Sequence, residues 1–234
     1  MDIYDGLLEA IEREYTTLRR LKSSGWSRVD IVRHGVSGTR YIFRRFTGSG
    51  EVYARLLGVS SPHLPEIYEM GARDGHVAVL EEYIQGDTLA FLLRADVLTP
   101  RQARNVTAQL CAALWTLHSM GVVHRDVKPE NVVMRGSEAV LIDFNASRIF
   151  KPDTEGDTQV LGTTGYAAPE QYGISQSDFR ADIYSLGVLL NVMLTGKHPS
   201  KCMAPGRLGR VVQKCTMTSP EKRYKSALQL LEAL

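Results

Sequence analysis

Val122-Val123-His124-Arg125-Asp126-Val127-Lys128-Pro129-Glu130-Asn131-Val132-Val133 is the stretch whose reading decides how this chain folds. Two apolar pairs enclose side chains of different chemistry at fixed spacing. The carboxylate of Asp126 can accept a proton from a hydroxyl. Asn131, one turn later, offers an oxygen to a hard cation such as magnesium. Lys128 lies between them and can neutralise negative charge. A merely solvated turn needs none of this order.

Working outward, Leu141-Ile142-Asp143-Phe144-Asn145 reads as an apolar strand ending in Asp-Phe. Gly162-Thr163-Thr164-Gly165-Tyr166-Ala167-Ala168-Pro169-Glu170 follows, then Asp182-Ile183-Tyr184-Ser185-Leu186-Gly187, then Pro220-Glu221-Lys222-Arg223-Tyr224. In this order the segments resemble the protein kinase domain, most like small bacterial serine/threonine kinases: His-Arg-Asp with its Asn, Asp-Phe-Gly with Asn145 for glycine, and Ala-Pro-Glu. Each motif alone is weak evidence, and the ordered set is specific.

The resemblance implies an α+β, bilobal fold: a small antiparallel-sheet N-lobe over about 1–84 and a mainly helical C-lobe over about 85–234, together one domain. It implies ATP and Mg2+ (or Mn2+) as cofactors and a protein substrate as partner. Asp126 is then the base and Lys128 its catalytic companion, while Asn131 and Asp143 hold metal. Val29, Ile42, Arg44, Glu82, Ile84 and Val133 contact nucleotide. Structural or regulatory roles fall to Glu51, Glu81, His124, Arg125, Phe144, Thr163, Glu170, Asp182 and Arg223. Among these, Asp182 pins the catalytic loop, Arg223 pairs with Glu170, and Thr163 hydrogen-bonds the catalytic aspartate. Arg125 is placed to meet a phosphate on the activation segment, with Thr154, Thr158, Thr163 and Thr164 as candidates.

The bulk numbers agree with one catalytic domain. A chain of 234 residues with 44% apolar content can bury a full core. A formal charge of +2 argues for neither a nucleic-acid nor a membrane surface. Cys111, Cys202 and Cys215 lack metal-ligand spacing, so reduced thiols in the cytoplasm are the simplest expectation. The acidic, quickly polar start Met1-Asp2-Ile3-Tyr4-Asp5 is unlike a secretory signal, and no apolar run reaches membrane-spanning length.

Along the N-terminal half, Ile3, Leu7, Leu8 and Ile11 recur at helical spacing. Three strands are expected over residues 15–46, with Ser37-Gly38 turning the second hairpin, then a helix from near Glu51 and strands around 66–70 and 77–83. Here the family pattern weakens. In Leu21–Val29 the three pattern glycines are replaced by Lys22, Ser24 and Ser27, removing the room that lets backbone amides approach phosphates. Lys22 is either a phosphate cation or a solvated lysine.

Arg44 stands where kinases carry the phosphate-gripping lysine, an exchange that is not conservative. It either meets phosphate or forms a surface ion pair. Strand alternation puts Ile42, Arg44 and Phe46 on one face, and Ile42 is bulkier than usual for the adenine roof. Only seven positions separate Arg44 from Glu51, which is short for the usual helix. Glu51 is either the carboxylate that pairs with the cation or a solvent-facing helix start. The strand-to-linker register makes Glu81 the residue at the back of the pocket. A carboxylate there is costly unless paired, and Arg44 on the neighbouring strand is the cation within reach. Glu81 is therefore expected to share Arg44 with Glu51 or to replace Glu51.

In the C-terminal half, Thr99-Pro100 starts a helix that Gly121 ends. Asn145 is expected to tolerate left-handed backbone after Phe144. From Asp182 to Arg223 the chain runs 41 positions, so the substrate-side helix of larger kinases is expected to be lost or reduced to a loop around Pro199–Pro205. Three functional readings stand: an active ATP-dependent serine/threonine kinase, a pseudokinase binding module, and a small-molecule phosphotransferase. The Tyr166–Glu170 segment argues against the third.

Overall fold

The computed structural model describes residues 2–150, 163–172 and 178–234. The chain divides into two compact units, Met1–Ser61 with Pro65–Ile84, and Pro62–Leu64 with Gln85–Leu234.

The first unit opens with helix α1 (Ile3–Glu14), followed by strands β1 (Tyr15–Ser24), β2 (Ser27–His34) and β3 (Arg40–Thr47), the short helix α2 (Glu51–Leu56), and strands β4 (Ile67–Arg73) and β5 (His76–Glu82). The strands form one antiparallel sheet in the order β1-β2-β3-β5-β4. Alternation gives it two different faces. On one, Val32, Phe43, Ala78 and Leu80 pack against Leu7 and Ile11 of α1; of the expected apolar stripe, Leu8 is partly buried against this cluster and Ile3 is exposed. Gly71 makes this docking possible, because a Cβ there would sit 2.5 Å from the Tyr4 Cα. The other face carries Ile42, Arg44 and Phe46, and Phe46 packs on buried Tyr53 of α2 with ring centroids 5.6 Å apart.

The glycine-poor segment 21–29 closes as a tight hairpin within the expected run of three strands. β1 and β2 pair as far as Ser24 opposite Ser27, leaving Gly25-Trp26 as a two-residue turn. Lys22, Ser24 and Ser27 are thus strand residues, and Lys22 is exposed. Strand pairing claims the backbone once serine and lysine replace the glycines that favour an open loop.

The second unit contains β6 (Asp87–Thr88), α3 (Leu89–Leu92), α4 (Pro100–Ser119), β7 (Val122–Val123), β8 (Val132–Arg135), β9 (Glu138–Leu141), β10 (Arg148–Ile149), α5 (Phe179–Thr195), α6 (Gly206–Cys215) and α7 (Ala227–Ala233). Helix α4 starts with Pro100 in its first turn and a capping box between Thr99 and Gln102. It stops at Gly121, whose φ of +73° no β-carbon-bearing residue adopts cheaply. Its buried stripe includes Leu110, Leu114 and Leu117, each stabilising the unit by about 1.5–3 kcal/mol if fully buried.

Helix α5 is apolar nearly all round, with Ile183, Leu186, Val188, Leu189, Leu190 and Met193 inaccessible, as befits a central helix. Gly187 lets α6 close on it, since a Cβ there would collide with Cys215. Between these helices, residues 196–205 are irregular, in line with the loop expected around Pro199–Pro205. Buried Asn191 holds that stretch through Lys197 O (2.8 Å), Cys202 O (2.7 Å) and Ala204 N (2.8 Å). Among the described residues no helix is long and apolar enough to cross a membrane.

Candidate active site

The 124–131 segment is fixed from below by one carboxylate. Asp182, inaccessible on α5, accepts the backbone N–H of His124 at 2.9 Å and of Arg125 at 2.7 Å, and its Oδ2 lies 2.9 Å from His118 Nε2. Burial works to raise its pKa, but the His118 hydrogen bond and the nearby imidazoles hold it below the usual carboxylate value. The turn needs such anchoring, because Arg125 takes a left-handed φ of +67°. Gln171 Nε2 donates to Arg125 O at 2.9 Å, and Ser147 Oγ to His124 O at 3.1 Å.

Above this anchor the Asp126 carboxylate is held by three side chains. Thr163 Oγ1 donates to Oδ1 at 2.7 Å, Asn131 Nδ2 to Oδ2 at 2.8 Å, and Lys128 Nζ lies 2.7 Å from Oδ2. Lys128 also donates to Thr163 Oγ1 at 2.6 Å, closing a triangle. Burial pushes the Asp126 pKa up, yet the bonds from Lys128, Thr163 and Asn131 bring it below the ordinary value. The group is therefore an oriented carboxylate ready to accept a hydroxyl proton. Asn131 Nδ2 also donates to Asp126 O at 2.8 Å. With both amide hydrogens so used, Oδ1 is the atom Asn131 offers a cation.

Ile142 N donates to Asn131 O at 2.8 Å, tying the segment that carries Asp143 to this loop. Asp143, not Asn145, is the left-handed residue, with φ +68°. The Asp143 carboxylate accepts Asn145 N at 3.3 Å and caps a single 3-10 turn over Phe144–Ala146. Asn145 thus stays in a helical turn, because the short side chain of Asp143 supplies the local hydrogen bond that makes the left-handed conformation tolerable. Phe144 is buried and meets the His124 ring edge-on at 5.7 Å. Burial lowers the His124 imidazole pKa, against the pull of Asp182, Asp126 and Asp143. An amide oxygen with a carboxylate is the donor set a hard cation takes when phosphates complete its shell, so Asn131 and Asp143 fit magnesium.

The Ala-Pro-Glu end is bolted down by Arg223, whose fork meets Glu170 at 2.6 and 2.8 Å. Ser185 Oγ donates to Tyr166 O at 2.8 Å, and Gln171 Oε1 accepts Ala168 N at 3.0 Å. Thr163 is committed to Asp126 and Lys128, whereas Thr164 is exposed. Thr154 and Thr158 lie outside the described residues. Val133, on β8, is buried opposite Val140.

In the first unit Arg44 is buried rather than part of a surface pair, and its Nη2 lies 3.0 Å from Glu81 Oε1. Val29 sits opposite Arg44, and Ile42 opposite both Ile31 and Glu81. Glu82 N donates to Glu66 O at 2.8 Å, and Ile84 is buried. Glu51 is an exposed residue in the first turn of the six-residue α2.

Three residues of this network carry no role in the sequence reading: His118, Gln171 and Ser185. His118 had a visible signal, a histidine one turn beyond Leu114 in the buried stripe. Gln171 sits just after one recognised motif and Ser185 inside another, and only the folded backbone shows what they brace.

A carboxylate so held, together with the oxygens of Asn131 and Asp143 and a bolted Ala-Pro-Glu turn, is a kinase-like arrangement. The chain belongs to the family described as protein kinase domain, which matches residues 51–233. It is 36% identical over 155 residues to serine/threonine-protein kinase pkn2 of Myxococcus xanthus, covering 62% of this chain and 19% of that protein. It is 31% identical over 206 residues to serine/threonine-protein kinase D of Synechocystis sp., with 76% and 39% covered. It is 30% identical over 251 residues to serine/threonine-protein kinase PknD of Mycobacterium tuberculosis, with 91% and 38% covered. The chain thus spans less than two fifths of the length of these relatives. The family match begins after β3, so the glycine-poor hairpin lies outside it.

Proposed function

We propose that this chain is an active ATP-dependent serine/threonine protein kinase, a single domain that transfers the γ-phosphoryl group to a protein hydroxyl. The observation that carries the reading is the Asp126 carboxylate, ionised and held by Lys128, Thr163 and Asn131 on a loop pinned by Asp182. A chain kept only for binding has no need of that arrangement.

ATP supplies the phosphoryl group, and a bound magnesium (or manganese) ion would supply positive charge against its phosphates. Asp126 takes the hydroxyl proton of the substrate. Lys128, already bridging Asp126 and Thr163, offsets charge on the group in transfer. Asn131 Oδ1 and the Asp143 carboxylate would hold the cation. Arg44 grips phosphate, Val29, Ile42 and Val133 contact the base, and the backbone around Glu82 and Ile84 hydrogen-bonds adenine. Arg125 receives a phosphate from the activation segment, while the Thr163 hydroxyl, hydrogen-bonded to Asp126 and Lys128, serves the catalytic loop.

The cytosol is the compartment that suits Cys111, Cys202 and Cys215, none of which is in a disulfide. Protein is the partner class, and a balance of +2 gives no reason to invoke nucleic acid or a membrane. The test is incubation of the purified chain with γ-labelled ATP, magnesium or manganese, and a basic serine/threonine substrate. Label on serine or threonine, absent with Asp126→Asn, is expected. Nucleotide binding without transfer would replace this reading with that of a binding module.

A further inference from the structure

Arg44 and Glu81 face each other by virtue of strand register alone. In the β3–β5 ladder Ile42 lies opposite Glu81, and Arg44 opposite Val79. Arg44 and Glu81 are therefore diagonal neighbours on one face, a separation a long side chain can bridge. Arg44 reaches back to place Nη2 3.0 Å from Oε1, with both side chains about 6% exposed. Each strand is paired on both sides, β3 between β2 and β5, and β5 between β3 and β4. Parting the two groups by backbone motion would mean unzipping the middle of the sheet.

In protein kinases the carboxylate that steadies this cation comes from a helix whose placement controls activity. Here the corresponding helix, α2, is six residues long and carries Glu51 exposed in its first turn. A carboxylate from the neighbouring strand needs no helix to deliver it. Arginine suits the arrangement better than lysine. Its planar fork can spend one edge on Glu81 and present other N–H groups to a second acceptor, where an ammonium is a single point of charge. An arginine for lysine and a buried carboxylate at the back of the sheet thus have one physical cause.

We propose that Glu81 is a positioning residue for phosphate recognition: it holds the Arg44 guanidinium oriented for the nucleotide phosphates through the strand pairing, so that this contact is set permanently rather than by helix movement. The inference rests on the reading that the chain binds ATP. A purely structural role for the pair predicts something different, because a buried ion pair can serve packing alone and be replaced by apolar groups without loss.

The test compares the wild type with Glu81→Gln, Arg44→Met and the double variant, measuring affinity for Mg-ATP and for adenosine, which has no phosphates. Glu81→Gln is expected to weaken Mg-ATP binding about tenfold or more and to leave adenosine within about twofold. Arg44→Met is expected to add little in the Glu81→Gln background, since a misplaced guanidinium has already lost its contact. Where Glu81→Gln does not fold, Glu81→Asp serves instead, keeping the charge but withdrawing the carboxylate by one methylene, with the same selective loss of Mg-ATP. Parallel loss of both ligands, or loss of neither, overturns the inference while leaving ATP binding by the wild type intact. A wild type that binds neither ligand overturns both.

Discussion

Arg223 meets Glu170 edge to edge, Nη1 2.6 Å from Oε1 and Nη2 2.8 Å from Oε2, with the arginine side chain inaccessible to solvent. The remaining donors are spent as well: Nε on Met217 O, Nη1 on Arg180 O and Nη2 on Thr218 O. One side chain thus ties the Ala-Pro-Glu turn to α5 and to the stretch after α6.

Breaking that pair from either side leaves a buried charge without its counterion. Arg223→Met and Glu170→Gln are each expected to cost about 3–5 kcal/mol, read as a lower urea midpoint. Arg223→Lys recovers little, because an ammonium cannot serve carboxylate and carbonyls in a plane. An unchanged midpoint in both removals would show that the turn is held by other contacts.

Thr163 acts through the two groups it touches. Thr163→Val keeps the shape but removes the hydroxyl that donates to Asp126 and accepts from Lys128. Transfer is expected to fall roughly tenfold to a hundredfold with Mg-ATP affinity unchanged, and Thr163→Ser should restore most of the rate. Equal rates for wild type and Thr163→Val would detach this residue from the chemistry.

Acid stability has a definite sign. His124 is buried with its pKa below the ordinary 6.5, so near that pH the unfolded chain takes up a proton the folded chain refuses. Its contribution is complete above pH 6.5 and is lost below it, by at most about 1.4 kcal/mol per pH unit. Asp126 and Asp182 are also lowered, from 3.8. Their contributions are present above that value and vanish as pH falls through the folded values. Urea midpoints at pH 7.5, 6.5 and 5.5 should decline for the wild type, and less steeply for His124→Asn. Identical profiles would contradict a buried neutral His124.

Because Arg44 and Glu81 are mutually buried, stability also reports on them. In a double-mutant cycle, Arg44→Met and Glu81→Gln should show coupling of about 1–3 kcal/mol. Additivity within about 0.3 kcal/mol would mean the two side chains ignore each other.

What the sequence made legible follows physical locality. The His124–Asn131 segment and the α4 stripe are local patterns, and both elements stand where they were expected. The Arg44–Glu81 contact was readable because two neighbouring strands leave few places for a buried charge to go. The β1–β2 hairpin was harder. Strand, turn and strand were expected there, but the missing glycines did not show that the ladder runs as far as Ser24 opposite Ser27. Placing the left-handed residue at Asn145 instead of Asp143 failed because an aspartate's own carboxylate can stabilise that backbone, which composition does not display. His118 meets the distant Asp182 carboxylate and Gln171 the Arg125 carbonyl, and a partner 64 or 46 positions away leaves no local trace.

The central claim, that Asp126 is the base of a working phosphotransfer centre, is tested most directly by single-turnover transfer from Mg-ATP to a serine-containing substrate. Wild type, Asp126→Asn and Asp143→Asn are compared after direct binding measurements with and without magnesium. The wild type should transfer. Asp126→Asn should bind Mg-ATP as the wild type does but transfer about a hundredfold more slowly or worse, and Asp143→Asn should lose the magnesium dependence of binding. Transfer at the wild-type rate by Asp126→Asn, with its nucleotide bound, would contradict the account.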